Sequence, residues 1–328
     1  MKFQFLALFS SKKLRNSILV LGGFLMSNIL RKPFKLGFPV TISVEPVNFC
    51  NLSCPECTAG NGNLSRNPGQ MDANLYANFI KEIKNYVSYL TLYFQGEPLL
   101  HPQFIEFVQL ATQHRIFTAS STNAQIIDDV MAKKIVKSGL KKLIISMDGT
   151  TQKIYEKYRV GGSLALTEKG ILSLIKWKKE LNSSTPFVEL QFLVLKHNEH
   201  QIPEIKKRAK SLGVNKLSLK TAQITNFEKG SNLLPTQTKY ARYIKTQDGN
   251  YKRKKIIYNR CWRAFSGAVI TVDGNVLPCS FDKNGEHAFG NINEQSLAEI
   301  WHSEKAHLFR KQVLRDRKAF SICQNCTM

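Results

Sequence analysis

The sequence is short of acid. Its 328 residues contain 24 Asp and Glu against 47 Lys and Arg, a formal net charge of +23. A balance this basic says more about partners than about fold. No base-reading motif and no interleaved aromatic platform accompanies it, so a solvated basic surface is expected rather than specific nucleic-acid binding. Long apolar runs are missing as well. Residues 18–26 are apolar, but a bilayer span needs about 20 such residues. Lys12, Lys13 and Arg15 precede this run, as in a signal peptide, yet no small-x-small cleavage site follows, and Asn28, Arg31 and Lys32 end it. Cysteine is absent for about 200 residues between Cys57 and Cys261. The total of seven is odd, the chain is long and the spacings are those of metal sites, so a disulfide framework fits badly. A reducing compartment follows, most simply the cytoplasm.

With Phe3, Phe5, Leu6 and Phe9 upstream, the run at 18–26 makes residues 1–40 a short helical arm. Packing against the rest of the chain is expected; attachment to a membrane surface through its apolar and basic residues is the alternative.

The cysteines that are present fall into two groups. Cys50, Cys54 and Cys57 are spaced C-x3-C-x2-C. A single strand or helix cannot aim three such sulfurs at one point, whereas a loop can, and Asn51, Ser53 and Pro55 are loop residues. Three converging thiolates satisfy three irons of a 4Fe–4S cluster and leave the fourth iron open. Zinc with a fourth ligand from elsewhere and unrelated core thiols are the other readings.

Around this loop, short apolar strands alternate with amphipathic helices. Strands are expected at 41–47, 90–94, 115–121, 142–147, 187–195 and 216–220, with helices after Asp72, after His101-Pro102, and at 128–137, 167–181 and 202–212. Six such units read as parallel βα repeats, short of the eight that close a full barrel. Function gathers at the carboxyl ends of such strands. Polar clusters lie there: Gln95-Gly96-Glu97-Pro98, Ser121-Thr122-Asn123, Ser146-Met147-Asp148-Gly149, then Arg159 and Asn198. Carbonyls of a tight turn and the Glu97 carboxylate suit a bound ammonium group.

The cysteine spacing together with the Gln-Gly-Glu-Pro turn resembles the radical S-adenosylmethionine (radical SAM) family. That family's loop has the same three-cysteine pattern, and its turn is Gly-Gly-Glu-Pro. The resemblance implies a partial (β/α)6 TIM barrel in which the open iron chelates SAM and the reduced cluster cleaves it to a 5′-deoxyadenosyl radical. It implies SAM contacts at Gln95, Gly96, Glu97, Ser121, Asn123, Ser146, Asp148 and Arg159, with Arg159 pairing to the methionine carboxylate, Asn198 on the adenine side, and backbone at Val194 and Leu195 lining the adenine. The family usually carries an aromatic residue before the third cysteine; here that position is Glu56. An acidic electron donor such as a flavodoxin would suit the basic surface.

The second group is Cys261, Cys279, Cys323 and Cys326. Asp273-Gly274 between two short apolar stretches signals a hairpin, and Gly274-x4-Cys279 follows. This resembles the SPASM/Twitch extension of radical SAM enzymes and implies a second, four-cysteine 4Fe–4S cluster; a structural zinc site has the same ligand count. The expected organisation is an arm at 1–40, a barrel at 41–222, a linker at 223–257 in which Tyr240, Arg242 and Tyr243 face substrate, and a cluster-binding extension at 258–328. Substrates implied are a peptide or protein side chain or a small alcohol. The 49 residues before Cys50 are too few for a separate leader-binding domain of ordinary size, which weighs against ribosomal-peptide maturation. The rival class is a non-enzymatic zinc or iron–sulfur module with a nucleic-acid-binding surface; it has no need of Gln95-Gly96-Glu97 at a strand end.

Overall fold

The computed structural model describes residues 10–326; Phe3, Phe5, Leu6 and Phe9 lie outside them. A long helix, α1 (Ser11–Leu30), leads into the alternating series β1 (Thr41–Val44), α2 (Ala73–Ile83), β2 (Tyr89–Leu92), α3 (Phe104–Gln113), β3 (Phe117–Thr122), α4 (Asp129–Lys137), β4 (Lys142–Ser146), α5 (Gln152–Tyr155), α6 (Leu164–Glu180), β5 (Phe187–Val194), α7 (Ile202–Ser211) and β6 (Lys216–Thr221). Each strand from β1 to β6 pairs in parallel with the next. This is the partial (β/α)6 barrel.

The helices start where side chains satisfy their free amide groups. Asp72 accepts from Asn74 and Leu75 at 2.9 and 2.8 Å, and Asp128 accepts from Met131 at 2.7 Å. Helix α6 begins at Leu164, ahead of the expected Thr167, because Ser163 caps it through the Leu166 N–H. The buried face of α2 is Tyr76, Phe79, Ile80 and Ile83, the helical spacing of an amphipathic element on a sheet.

The stretch expected to be a linker has structure of its own. It folds into a hairpin, β7 (Tyr243–Lys245) and β8 (Tyr251–Arg253), and lays Ile224, Leu234 and Tyr243 against Leu52, Cys54, Tyr158 and Leu195. After α8 (Trp262–Ser266) come β9 (Gly267–Ile270) and β10 (Asn275–Leu277), joined through Gly274 at φ +86°. Strand β9 pairs in parallel with β1, Thr41 opposite Gly267. The extension therefore shares the barrel's sheet, which runs β11-β10-β9-β1-β2-β3-β4-β5-β6 with β11 (Gly290–Asn291) at its edge.

Helices α9 (Leu297–His302), α10 (Glu304–Asp316) and α11 (Ser321–Gln324) complete the chain. Arg310 pins them. It is fully buried, donates to the carbonyls of Ala264 at 2.8 Å and Trp301 at 2.9 Å, and lies 4.0 Å from the Trp301 ring centroid. Burial lowers its pKa to about 9.

Helix α1 packs on the barrel with an unexpected face. Its buried residues are Lys13, Asn16, Val20, Gly23 and Ser27. Lys13 donates to the Arg115 carbonyl at 2.7 Å, just before β3. Asn16 donates to Phe38 and Tyr86, just before β1 and β2, at 3.0 and 3.2 Å. The helix thus crosses the amino-terminal ends of β1 to β3, the end of the barrel opposite the cysteine loop. Among the described residues no helix is long and apolar enough to cross a membrane.

Candidate active site

Strand β1 delivers the chain into the cysteine loop. Glu45, just past its end, is buried in a two-pronged ion pair with Arg66 at 2.6 and 2.7 Å and also accepts from the Val272 amide at 3.1 Å. The base of the loop is thereby tied to the terminal hairpin. Within the loop the Leu52 amide donates to Cys50 Sγ at 3.4 Å, and the Cys57 amide to the Cys54 carbonyl at 3.1 Å. Gly60 folds back on the loop so closely that a Cβ there would meet the Cys54 nitrogen at 2.8 Å.

The turn after β2 docks on the same loop. Gly96 has φ +71°, and a Cβ on it would lie 2.5 Å from the Phe49 carbonyl oxygen. Only glycine permits this approach. The Glu97 amide donates to that same carbonyl at 2.9 Å. The Glu97 carboxylate is buried beside Gln95 and accepts from the amides of Asn123 at 2.8 Å and Leu99 at 3.3 Å. Burial raises its pKa to about 6, against the pull of these hydrogen bonds. The Thr122 side chain bonds to it as well, so one of its about four lone-pair positions remains for a ligand.

Asn123, at the end of β3, connects the parts. Its amide nitrogen donates to Asn51 at 2.8 Å and faces Cys50 Sγ at 3.8 Å. Ser121 is half-buried beside it, and Ser146 is buried at the end of β4.

Asp148 and Arg159 form the far wall. Arg159 Nε donates to Asp148 Oδ2 at 2.6 Å, and its Nη1 reaches Cys54 Sγ at 3.7 Å. Burial disfavours the guanidinium charge, but Asp148 and Cys54 outweigh it and hold the pKa above the ordinary arginine value. Asp148 is fully buried and also accepts from the Leu193 amide through Oδ1.

Two expectations are corrected by the hydrogen bonding. Asn198 accepts from the Leu195 amide at 2.8 Å and donates to the carbonyls of Asp148 and Leu193, both at 2.9 Å. Its side chain closes the bend after β5, is fully buried there and keeps no free N–H for adenine. Tyr243 is buried, with its hydroxyl donating to Asn325 at 2.8 Å and accepting from the Ile224 amide at 3.0 Å, so it does not face substrate. Glu56, in the position of the family's aromatic residue, accepts from the Thr225 amide and hydroxyl at 2.9 and 3.0 Å.

The four later cysteines lie close enough to act on one another's charge. Cys279 accepts from the Phe281 amide at 3.3 Å, and burial raises its thiol pKa to about 12, with Cys261 and Cys326 adding to the effect and Arg263 opposing it. Arg317 is buried among them and donates to Cys326 Sγ at 3.0 Å. Nothing local in the sequence marks Arg317, because its place depends on how α10 and α11 fold back.

The donor sets fit iron–sulfur clusters. Burial raises the Cys50 thiol to about 11, and Glu97, Cys57 and Cys54 add to this, so a bound cation is what would hold these sulfurs as thiolates. A single zinc ion needs its donors about 2.3 Å from one point. Soft thiolate sulfurs, three in one group and four in the other, are the ligands that iron–sulfur clusters take. A cubane is held at its corners, one thiolate per iron, with the ligands standing around it.

Comparisons with known proteins agree with this geometry. The radical SAM superfamily model matches residues 44–209, half of the chain, and the SPASM iron–sulfur cluster-binding domain matches residues 261–327. The tungsten-containing aldehyde ferredoxin oxidoreductase cofactor-modifying protein of Pyrococcus furiosus is 26% identical over 314 residues, covering 87% of this chain and 86% of that protein. The S-adenosyl-L-methionine-dependent 2-deoxy-scyllo-inosamine dehydrogenase of Niallia circulans is 24% identical, covering 87% and 91%. The mycofactocin maturase MftC of Mycobacterium ulcerans is 23% identical, covering 89% and 81%. Among solved structures, Streptococcus suis SuiB bound to the precursor peptide SuiA superposes with a TM-score of 0.65 at 16% identity over 95% of this chain and 75% of that one, a likeness of fold. The chain belongs to the radical SAM superfamily: it is an enzyme whose cofactors are 4Fe–4S clusters and S-adenosylmethionine, and it carries a SPASM iron–sulfur domain at residues 261–327.

Proposed function

We propose that this enzyme oxidises an organic substrate, a peptide side chain or a small alcohol, by hydrogen abstraction. The observation that carries the proposal is the meeting of Cys50, Cys54 and Cys57 with Glu97, Asn123 and the Asp148–Arg159 pair at the carboxyl ends of β1 to β4. Cys50, Cys54 and Cys57 would hold the 4Fe–4S cluster, which when bound and reduced would supply the electron for reductive cleavage of SAM. Around it the chain's own groups divide the amino acid end of SAM by charge. Glu97 and the carbonyls of its turn accept from the ammonium, and Arg159, held by Asp148, faces the carboxylate. Gln95, Gly96, Ser121 and Ser146 shape the walls of that pocket.

Oxidation requires the substrate radical to lose one more electron and a proton. Cys261, Cys279, Cys323 and Cys326 would hold the acceptor, and four thiolates leave it no open coordination position. Relatives named as a maturase, a peptide cyclase and a dehydrogenase support this class of outcome. The basic surface suits an acidic electron donor such as a flavodoxin, and the free thiols suit the cytoplasm.

Anaerobically reconstituted, reduced protein should release 5′-deoxyadenosine from SAM, and replacing Cys50, Cys54 and Cys57 by Ala should abolish this and halve the iron. A triple variant that keeps its iron rejects the assignment. With deuterated substrate, a Cys279→Ala, Cys323→Ala variant should still move deuterium into 5′-deoxyadenosine yet form no oxidised product. Full product formation would leave the second group a structural role only.

A further inference from the structure

Helix α1 is inside out. An amphipathic helix on a globular protein ordinarily buries its apolar stripe and exposes its polar face. Here Lys13, Asn16, Gly23 and Ser27 face the barrel, while Leu14, Ile18, Leu21, Leu25 and Ile29 face outward along one helical stripe. The exposure is substantial, 62% at Ile18 and 78% at Ile29. The inward contacts are specific. Lys13 and Asn16 bond to backbone carbonyls, Ser27 accepts from the Phe34 amide at 2.8 Å, and a Cβ on Gly23 would strike the Phe34 carbonyl oxygen at 2.7 Å. The helix cannot roll its apolar side inward without losing these bonds.

The stripe is continuous with a second exposed apolar group. Phe24 packs edge-on against Trp262 at 5.2 Å, and Arg31 donates to the Asn259 carbonyl at 3.1 Å. Beside them Ile256 is 73% exposed, with Tyr258 and Trp262 also open to solvent. A shallow groove joins Phe24 to Ile256, Tyr258 and Trp262. Exposed apolar area of this extent needs an occupant.

The charges say which. The first acidic residue of the chain is Glu45, so Lys12, Arg15, Arg31 and Lys32 border the stripe without a carboxylate from their own segment. Lys254, Lys255 and Arg260 border the Ile256–Trp262 group, and Asp316 is the one carboxylate lining the two grooves on this side. Leucine and isoleucine between cations, with a tryptophan and a tyrosine at the edge, is the composition of a helix lying in a lipid interface. A second copy of the chain would set these cations against their own kind.

We propose that this face, α1 with Ile256, Tyr258 and Trp262, docks the enzyme on an anionic membrane surface. The helix lies across the amino-terminal ends of the strands, so docking leaves the cysteine loop at the opposite end accessible. This inference is independent of the proposed reaction.

The test is co-sedimentation of the full chain with vesicles of phosphatidylcholine alone and of phosphatidylcholine with phosphatidylglycerol. Binding to the anionic vesicles is expected, weakened on the order of a hundredfold by their omission or by replacing Lys12, Arg15 and Lys32 with Gln. An Ile18→Ser, Leu21→Ser, Leu25→Ser variant should lose binding while keeping its iron content and SAM affinity and melting at most a few degrees lower, since about half or more of each side chain is open to solvent. Absence of binding to anionic vesicles at low salt overturns the proposal. So does a dimer, seen by light scattering, that the triple Ser variant dissociates, because a second copy then covers the face.

Discussion

The Asp148–Arg159 pair offers a direct test of how the SAM pocket is built. The perturbation is Asp148→Asn, Arg159→Gln and the double variant. The side chains of Arg159 and Asp148 are 15% and 0% exposed, so solvent screens the pair little. In Asp148→Asn the amide oxygen can still accept from the Leu193 amide, but the amide nitrogen then faces Arg159 Nε, donor against donor. A buried guanidinium is left with the Cys54 sulfur and, 5.5 Å away, the Tyr158 ring, but with no carboxylate bonded to it. Breaking one side of a buried ion pair costs about 3–5 kcal/mol. Arg159→Gln leaves the Asp148 carboxylate buried but still bonded to Leu193, so its cost belongs near 3 kcal/mol in the same range. The double variant buries no unpaired charge. It should cost less than the sum of the singles, with a coupling of about 2–3 kcal/mol. Urea unfolding of the metal-free chain measures all four proteins without involving SAM. Equilibrium dialysis of SAM on the reconstituted proteins then asks whether both singles also weaken binding, as a carboxylate-facing arginine requires. A coupling under about 0.5 kcal/mol would show the pair idle. Unchanged SAM affinity in Arg159→Gln would refute its role in the pocket.

Two further outcomes are expected. Gly96→Ala should weaken SAM binding at least about tenfold, since it adds left-handed strain of about 1–2 kcal/mol and drives a Cβ into the Phe49 carbonyl; Gly62→Ala has the same sign of φ but open space around it, and should leave SAM binding unchanged. Lys13 titrates at about 8 rather than 10.5 because burial, with Arg115 nearby, disfavours its charge. Between those values the unfolded chain holds a proton that the folded one has released, so stability attributable to Lys13 rises with pH across that window, by about 3 kcal/mol at most. Subtracting urea titrations of Lys13→Met from wild type at pH 7, 8, 9 and 10 should isolate this slope, and a flat difference rejects it.

Much of the site could be read from residue order because its chemistry is local. Three thiols in a short loop, a Gly-Glu-Pro turn and polar residues closing apolar strands are each contained in a few residues. The rest depended on pairings that residue order does not display. Strand β9 is buried at all four positions, and such an uninterrupted apolar stretch signals a strand covered on both faces. Its parallel partner β1 lies far away in the chain, however, and a hairpin turn beside it suggests a self-contained unit. Asn198 and Tyr243 look like ligand contacts because they are polar and close to strand ends, but they spend their hydrogen bonds on the protein itself. Helix α1 was recognisable as a helix, and its orientation was not. An apolar run predicts inward packing, whereas Lys13, Asn16 and Ser27 find backbone carbonyls and an amide that only the folded barrel presents.

The two cysteine groups are held relative to each other by two separate routes. The first is the sheet. Hydrogen bonding between β1 and β9, with Glu45 accepting from Val272, fixes the segment carrying Cys261 and Cys279 against the strand that feeds Cys50. The second is the stretch around β7 and β8. Thr225 bonds to Glu56 within the first cysteine loop, Ile224 and Tyr243 pack with Leu52 and Cys54, Tyr243 bonds to Asn325, and Arg253 donates to the Cys326 carbonyl at 2.7 Å. Glu56 therefore makes sense where relatives in the family place an aromatic ring. A carboxylate there bonds to the segment that reaches the terminal cysteines. Electron transfer between a substrate radical and a second cluster depends on their separation. In this chain the placement of one cysteine group against the other is set by backbone pairing on one side and by a hydrogen-bonded wall on the other.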